Sequence, residues 1–167
     1  MKKFTWQIAD KVAHAVMEKS EEDVGKKNLS PDLQSNAPIA VCVCGLNFQP
    51  KVTLGSENAM SVSNDSLCED KAYTVLRTGV PTLYWELKEV NMRNFGDQRF
   101  TGFAGALPIK TARGKMIGAI GVSGRKSCLR KGKMPIKGEP VFLQDHELAE
   151  YGLKIFKQLV SEKSQSK

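Results

Sequence analysis

Gly105-Ala-Leu-Pro-Ile-Lys-Thr-Ala-Arg-Gly-Lys-Met-Ile-Gly-Ala-Ile-Gly-Val-Ser-Gly124 reads as a β-hairpin. Leu107 to Thr111 and Lys115 to Val122 are two apolar or β-branched runs, and the loop between them ends in Gly114, a residue that takes the positive φ of a tight turn at no steric cost. Gly118, Gly121 and Gly124 recur at every third position of the second run. Glycine weakens a strand unless something must come close to its backbone, so this spacing predicts an element or ligand packed hard against the hairpin.

Working outward, Ala37 to Cys44 is a nearly unbroken apolar run of strand length, as expected of a central strand covered on both faces. Gly45-Leu-Asn-Phe48 is a turn candidate, and Lys51 to Leu54 returns antiparallel with Gly55 closing it. Residues 4 to 24 form an amphipathic helix in this reading, since Ile8, Val12, Ala15 and Val16 share one stripe. Gly25 is then its C′ residue, followed by a polar loop from Lys26 to Asn36 containing Ser30-Pro31. Asn58 or Ser61 is placed as the cap of a second helix running to about Arg77, and 81–88 as a short helix opened by Pro81. Residues 89 to 104 are a longer polar connection of the kind that borders a site. Asp145 is placed as the N-cap of a last helix with Leu148, Tyr151, Gly152, Ile155 and Leu159 on its apolar stripe and His146 on its polar side. The tail 161–167 is polar. The element order predicts an α+β chain, a small antiparallel or mixed sheet between helices, with 1–167 forming one domain.

The 167 residues are 41% hydrophobic and 26% charged, enough to bury one compact core. No apolar run approaches the ~20 residues that span a bilayer, so a soluble, unprocessed, cytoplasmic protein with no membrane partner is expected. Cys42, Cys44, Cys68 and Cys128 form no C-x-x-C pair, and Cys42 and Cys44 share one face of a strand, where free thiols behave as small core hydrophobes. Of the net charge of +7, six Lys or Arg fall within residues 125 to 138, which hold no acid. That segment is expected to be a mobile surface loop. It has no interleaved aromatic residues for stacking on bases, so nucleic acid is not the expected partner.

A resemblance also runs along most of the chain, in order. Asp70-Lys71-Ala72-Tyr73-Thr74 with Pro81-Thr82, then Ala104-Gly105-Ala106-Leu107-Pro108-Ile109, Ile117-Gly-Ala-Ile-Gly-Val-Ser-Gly124 and Gln144-Asp145-x-x-Leu148-Ala149, resembles the GlcG/HbpS/PduO-C family. The resemblance implies a profilin-like α-β-α sandwich, assembly into homo-oligomers and, as in several members, binding of haem. Members serve glycolate or propanediol utilisation or act as extracellular haem sensors. The family's usual D-x-x-G and R-M-D-x-A are replaced here by Cys44-Gly-Leu-Asn and Gly55-Ser-Glu-Asn-Ala59, which removes an arginine suited to a haem propionate.

The candidate site follows from these two readings. The resemblance implies that Lys71 lines a ligand pocket near Gly105, Gly121 and Gly124, with Asp145 in the same set; a lysine beside open backbone N–H groups favours an anionic group. By its neighbours Glu69 and Asp70 alone, Lys71 would instead be a solvated charge. His14, on the outward face of the first helix one turn after Asp10, is the candidate axial ligand for haem iron, the carboxylate being placed to orient the ring. With two histidines the chain is poorly supplied for a catalytic metal site, and no nucleophile elbow, dinucleotide fingerprint or H-E-x-x-H is present. Two functions are expected from this: a small-ligand-binding, possible haem-binding, oligomeric module, or an enzyme acting on a small organic acid.

Overall fold

The computed structural model describes residues 4–26, 38–56, 62–125 and 143–165. Helix α1 (Trp6–Lys26) leads into strand β1 (Ala40–Gly45), which turns back as β2 (Pro50–Gly55). Helices α2 (Val62–Thr78) and α3 (Thr82–Leu87) and a 3-10 turn (Met92–Phe95) precede the hairpin β3 (Ala106–Lys110) and β4 (Met116–Ser123), and α4 (Asp145–Gln165) closes the order. The four strands form one sheet in the order β2-β1-β4-β3, and every pair is antiparallel. This is the α+β sandwich expected, with the sheet wholly antiparallel.

The expected hairpin pairs Leu107 with Ile120 and Ile109 with Gly118, and Gly114 at its turn has a φ of 79°. The turn after β1 places Phe48 at a φ of 61°. β1 is buried along its whole length because it lies between β2 and β4 and carries helices on both faces. Alternation along the strands then sorts side chains by size. Val41, Val43, Leu107, Ile109, Ile120 and Val122 join Val12, Val16, Leu148 and Phe156 of α1 and α4 in one core. On the other face Ala40, Cys42, Cys44, Ala106 and Ala119 meet Cys68, Ala72, Val75 and Leu76 of α2.

Three expectations change. α1 continues through Gly25 to Lys26, so the helix ends one residue beyond the glycine expected to stop it, within the last, frayed turn where glycine costs little. Pro81 sits at the N-cap of α3, one residue earlier than a first-turn proline. Arg125, expected in the mobile basic loop, is buried at 6% exposure. The rest of that loop, the expected caps Asn58 and Ser61, Ser30-Pro31 and Cys128 lie outside the described residues. Among the described residues no helix is long and apolar enough to cross a membrane.

Candidate functional site

Gly121 lies where α2 comes closest to the sheet. A Cβ on it would stand 2.1 Å from the carbonyl oxygen of Cys68 and 3.1 Å from the amide nitrogen of Ala72, so only glycine lets the helix backbone seat there. Seated this low, α2 carries Lys71 to the end of β4. Its Nζ donates to the Val122 carbonyl at 2.9 Å and to Asp145 Oδ2 at 2.8 Å. The other oxygen of Asp145 accepts the Arg125 backbone N–H at 2.9 Å. Gly105, with φ +128°, completes the arrangement: a Cβ on it would stand 2.4 Å from the Val122 oxygen and 3.0 Å from Lys71 Nζ. Gly124 lies at the same end, against the Pro38 carbonyl.

Lys71, Gly105 and Asp145 are therefore brought together, but as a buried ion pair. Lys71 is 2% exposed, so it is neither a solvated charge nor an open cation awaiting an anionic ligand. Burial lifts the Asp145 carboxyl above the usual carboxylate range, opposed by the Lys71 ammonium and the Arg125 N–H. The Arg125 guanidinium turns the other way. It donates to the Ser20 hydroxyl at 2.7 Å and stands 3.7 Å from Asp23, while burial lowers its pKa. Asp23 also accepts the Leu143 N–H at 2.9 Å. Two aspartates thus hold both ends of the connection between β4 and α4.

Asp145 is not the helix cap. The Leu148 N–H bonds the Gln144 carbonyl at 2.9 Å, which makes Gln144 the cap residue, and Glu147 accepts the Gln144 N–H at 2.8 Å in the reciprocal half of a capping box. The Gln144-x-x-Glu147 spacing was the sequence signal for this. Relieved of capping, Asp145 is free for Lys71.

His14 stands apart from this cluster, on the exposed face of α1, with its side chain 58% exposed. Its Nδ1 lies 3.0 Å from the Asp10 carbonyl oxygen and 3.4 Å from Asp10 Oδ1. Both neighbours are acceptors, so Nδ1 is the donor nitrogen of the ring. His146 is not on an open polar face. Its side chain is 19% exposed, with Nε2 3.5 Å from Glu150 and Nδ1 buried without a hydrogen-bond partner among the described residues. The thiols of Cys42 and Cys44 are 3.3 Å apart; the hydrogen bond between them pulls Cys42 down but Cys68 and burial outweigh it, while Cys42 and burial push Cys44 up, so both thiols stay protonated. Among the described residues no three His, Cys, Asp or Glu side chains are placed to share a metal ion.

The connection from 89 to 104 forms a second feature that no motif announced. Phe48, Tyr73, Phe100, Phe95, Trp85 and Tyr84 touch in series, with centroids 5.0 to 6.0 Å apart. Arg99 lies over Tyr73 at 4.3 Å and pairs with Asp70, and the Tyr73 hydroxyl donates to Asp97 at 2.7 Å. The only signal for it in the sequence is the density of aromatic residues between 84 and 103.

An antiparallel sheet between helical layers, with a helix low on its small-residue face, defines a profilin-like α-β-α sandwich. The chain belongs to the HbpS-like family: the family model described as haem degrading protein HbpS-like matches residues 4–128. Among solved structures it is similar to HbpS, at 24% identity over 93% of this chain and 91% of that one, with a TM-score of 0.65. It is also similar to the Klebsiella pneumoniae protein ORFY, at 20% identity over 94% of both chains and a TM-score of 0.63. PduOC, solved as a haem complex, is similar at 18% identity over 86% of this chain and 91% of that one, with a TM-score of 0.58. No curated protein matches.

Proposed function

We propose that this chain is a small-ligand-binding module of a cytoplasmic homo-oligomer and that haem is its ligand, with His14 as the axial residue. The observation that carries the reading is the Asp10 carbonyl 3.0 Å from His14 Nδ1 on an exposed helix face, which makes Nδ1 the donor and leaves Nε2, in the neutral ring, as the nitrogen that would meet a haem iron. Family membership supports it, and so does the likeness to PduOC. The fit to haem is one-sided. Gln7, Lys11 and Glu18 share the exposed face with His14 and give a porphyrin little apolar cover, so a second subunit has to supply the other side. This ties ligand binding to assembly. When bound, haem supplies an iron centre for redox or oxygen chemistry; the chain's own part is to hold the nitrogen ligand in one tautomer.

The alternative, an enzyme acting on a small organic acid, needs the Lys71 charge free to meet that acid. Asp145 already engages it at 2.8 Å, which weighs against this reading. A haemin titration followed by absorbance tests the proposal on the wild type, His14→Ala and His146→Ala. The expected outcome is a saturable Soret shift in the wild type and in His146→Ala that is lost in His14→Ala. No saturable shift in the wild type overturns haem, and a shift that survives His14→Ala overturns the ligand.

A further inference from the structure

The sheet ends in two edge strands, and they are finished differently. In an antiparallel ladder, residues alternate between turning their N–H and C=O toward the neighbouring strand and turning them away from it. The Ser56 N–H bonds the Ile39 carbonyl at 3.0 Å, so in β2 it is Val52 and Leu54 that face β1. Thr53 and Gly55 then face outward, and neither N–H is hydrogen-bonded among the described residues. At the opposite edge the Val122 N–H bonds the Gly105 carbonyl at 2.8 Å, which turns Leu107 and Ile109 of β3 toward β4. Ala106 and Pro108 are left facing outward.

The outward positions along β3 are all closed. The Ala106 N–H, on a buried residue, is taken by the buried Thr82 hydroxyl at 2.9 Å, and the Ala104 N–H just before the strand is taken by the Glu86 carboxylate. Pro108 has no N–H to offer, and an outward edge position is where a strand tolerates proline. After Ile109 a bulge shifts the register, and the strand ends on the exposed Lys110. Thr82 and Glu86 stand one turn apart on α3, so both acceptors come from one side of a six-residue helix. A buried N–H needs an acceptor, and α3 supplies it where no strand does.

The edge closed in this way is the more apolar of the two. Ala106-Leu-Pro-Ile109 carries no polar side chain, whereas β2 holds Lys51 and Thr53. An open, apolar strand edge is a template for any extended chain that meets it.

We infer that α3 is a clamp on the β3 edge: Thr82 and Glu86 occupy the backbone donors that an added strand would use, Pro108 removes the next one, and the sheet is thereby held to four strands. This role of α3 is independent of haem and of His14.

Amide hydrogen exchange and infrared spectroscopy test the clamp on the wild type, Thr82→Val, Pro108→Ala and the double variant. Valine keeps the branched shape of Thr82 and removes the acceptor. In Thr82→Val the Ala106 amide is expected to exchange about tenfold or more faster, with Thr53 and Gly55 unchanged as the reference. Pro108→Ala returns a donor to the edge, and while the clamp holds it should add no strands. The double variant should add them, read as an intermolecular β-sheet band that grows with concentration. A hydrogen bond of merely structural use would speed exchange at Ala106 without this dependence on Pro108. If Thr82→Val loses its far-UV spectrum, Glu86→Leu opens the same edge at Ala104 and is read in the same way. Exchange at Ala106 that ignores Thr82→Val overturns the clamp. So does strand addition by Pro108→Ala alone, or a double variant that adds none.

Discussion

The two faces of the sheet are built from residues of different size, and they hold their helices at different depths. Toward α1 and α4 the strands present Val41, Val43, Ile120 and Val122, and these side chains hold the helices off the strand backbone: even at Gly152 of α4, a Cβ would meet the Ile120 side chain and not the strand itself. Toward α2 they present Ala40, Cys42, Cys44, Ala119 and Gly121, and the helix backbone itself comes down onto the strand. Depth has a chemical consequence. Only the lower helix can pass a lysine beyond the end of β4 to an aspartate at the start of a helix in the opposite layer. The small-residue face builds the reach, and the ion pair locks the two layers together.

That comparison breaks most visibly at the lock. Lys71→Ala leaves Asp145 buried without its cation, which is expected to cost about 3–5 kcal/mol in urea unfolding. The paired change Lys71→Met with Asp145→Leu removes both charges and should recover most of that loss. A single variant costing under about 1 kcal/mol would mean that the pair is not locking the layers.

Gly121→Ala attacks the depth directly. Its new methyl meets helix backbone in place of a flexible side chain, so a loss at or above the upper end of the about 1–3 kcal/mol range for overpacking is expected. Because α2 must lift, the change should also shrink the coupling between Lys71 and Asp145 in a double-mutant cycle; undiminished coupling would separate depth from reach. On the large-residue face, Ile120→Val is an ordinary methylene deletion, expected to cost about 0.5–1.5 kcal/mol and to leave that coupling unchanged.

The smallest effect is a pH slope. Burial raises the folded-state pKa of Asp145 above its unfolded value of about 3.9, so the folded chain holds this proton more tightly than the unfolded one. The resulting stability is fully present below the unfolded value and is lost as pH rises through the folded one. Urea midpoints measured from acid to neutral pH should carry this falling contribution, and Asp145→Asn should remove it. An unchanged slope in Asp145→Asn would place the titration elsewhere.

Much of this was legible in the residues. The hairpin around Gly114, the buried strand ending at Cys44 and the apolar stripes of α1 and α4 are local patterns, because alternation and helical periodicity record which face of an element meets the core. The glycine spacing in β4 announced close packing, and the partner proved to be α2 at Gly121 and the Pro38 carbonyl at Gly124. Family membership was readable from the same segments.

What the residues alone determined, then, was the set of elements and the faces they bury. Which charges meet was decided only by the tertiary structure. Lys71 has Glu69 and Asp70 beside it in the chain, yet its partner stands 74 residues away, and Asp145 looked like a cap until Gln144 and Glu147 took that task. Arg125 sits in a run of basic residues and is nevertheless buried against Ser20 and Asp23. The same holds for the aromatic flank, assembled from β1's turn, α2, α3 and the loop after it. Periodicity reports the environment of one segment, whereas an ion pair or a ring stack depends on the distance between two, and that distance is set by how deeply each helix packs.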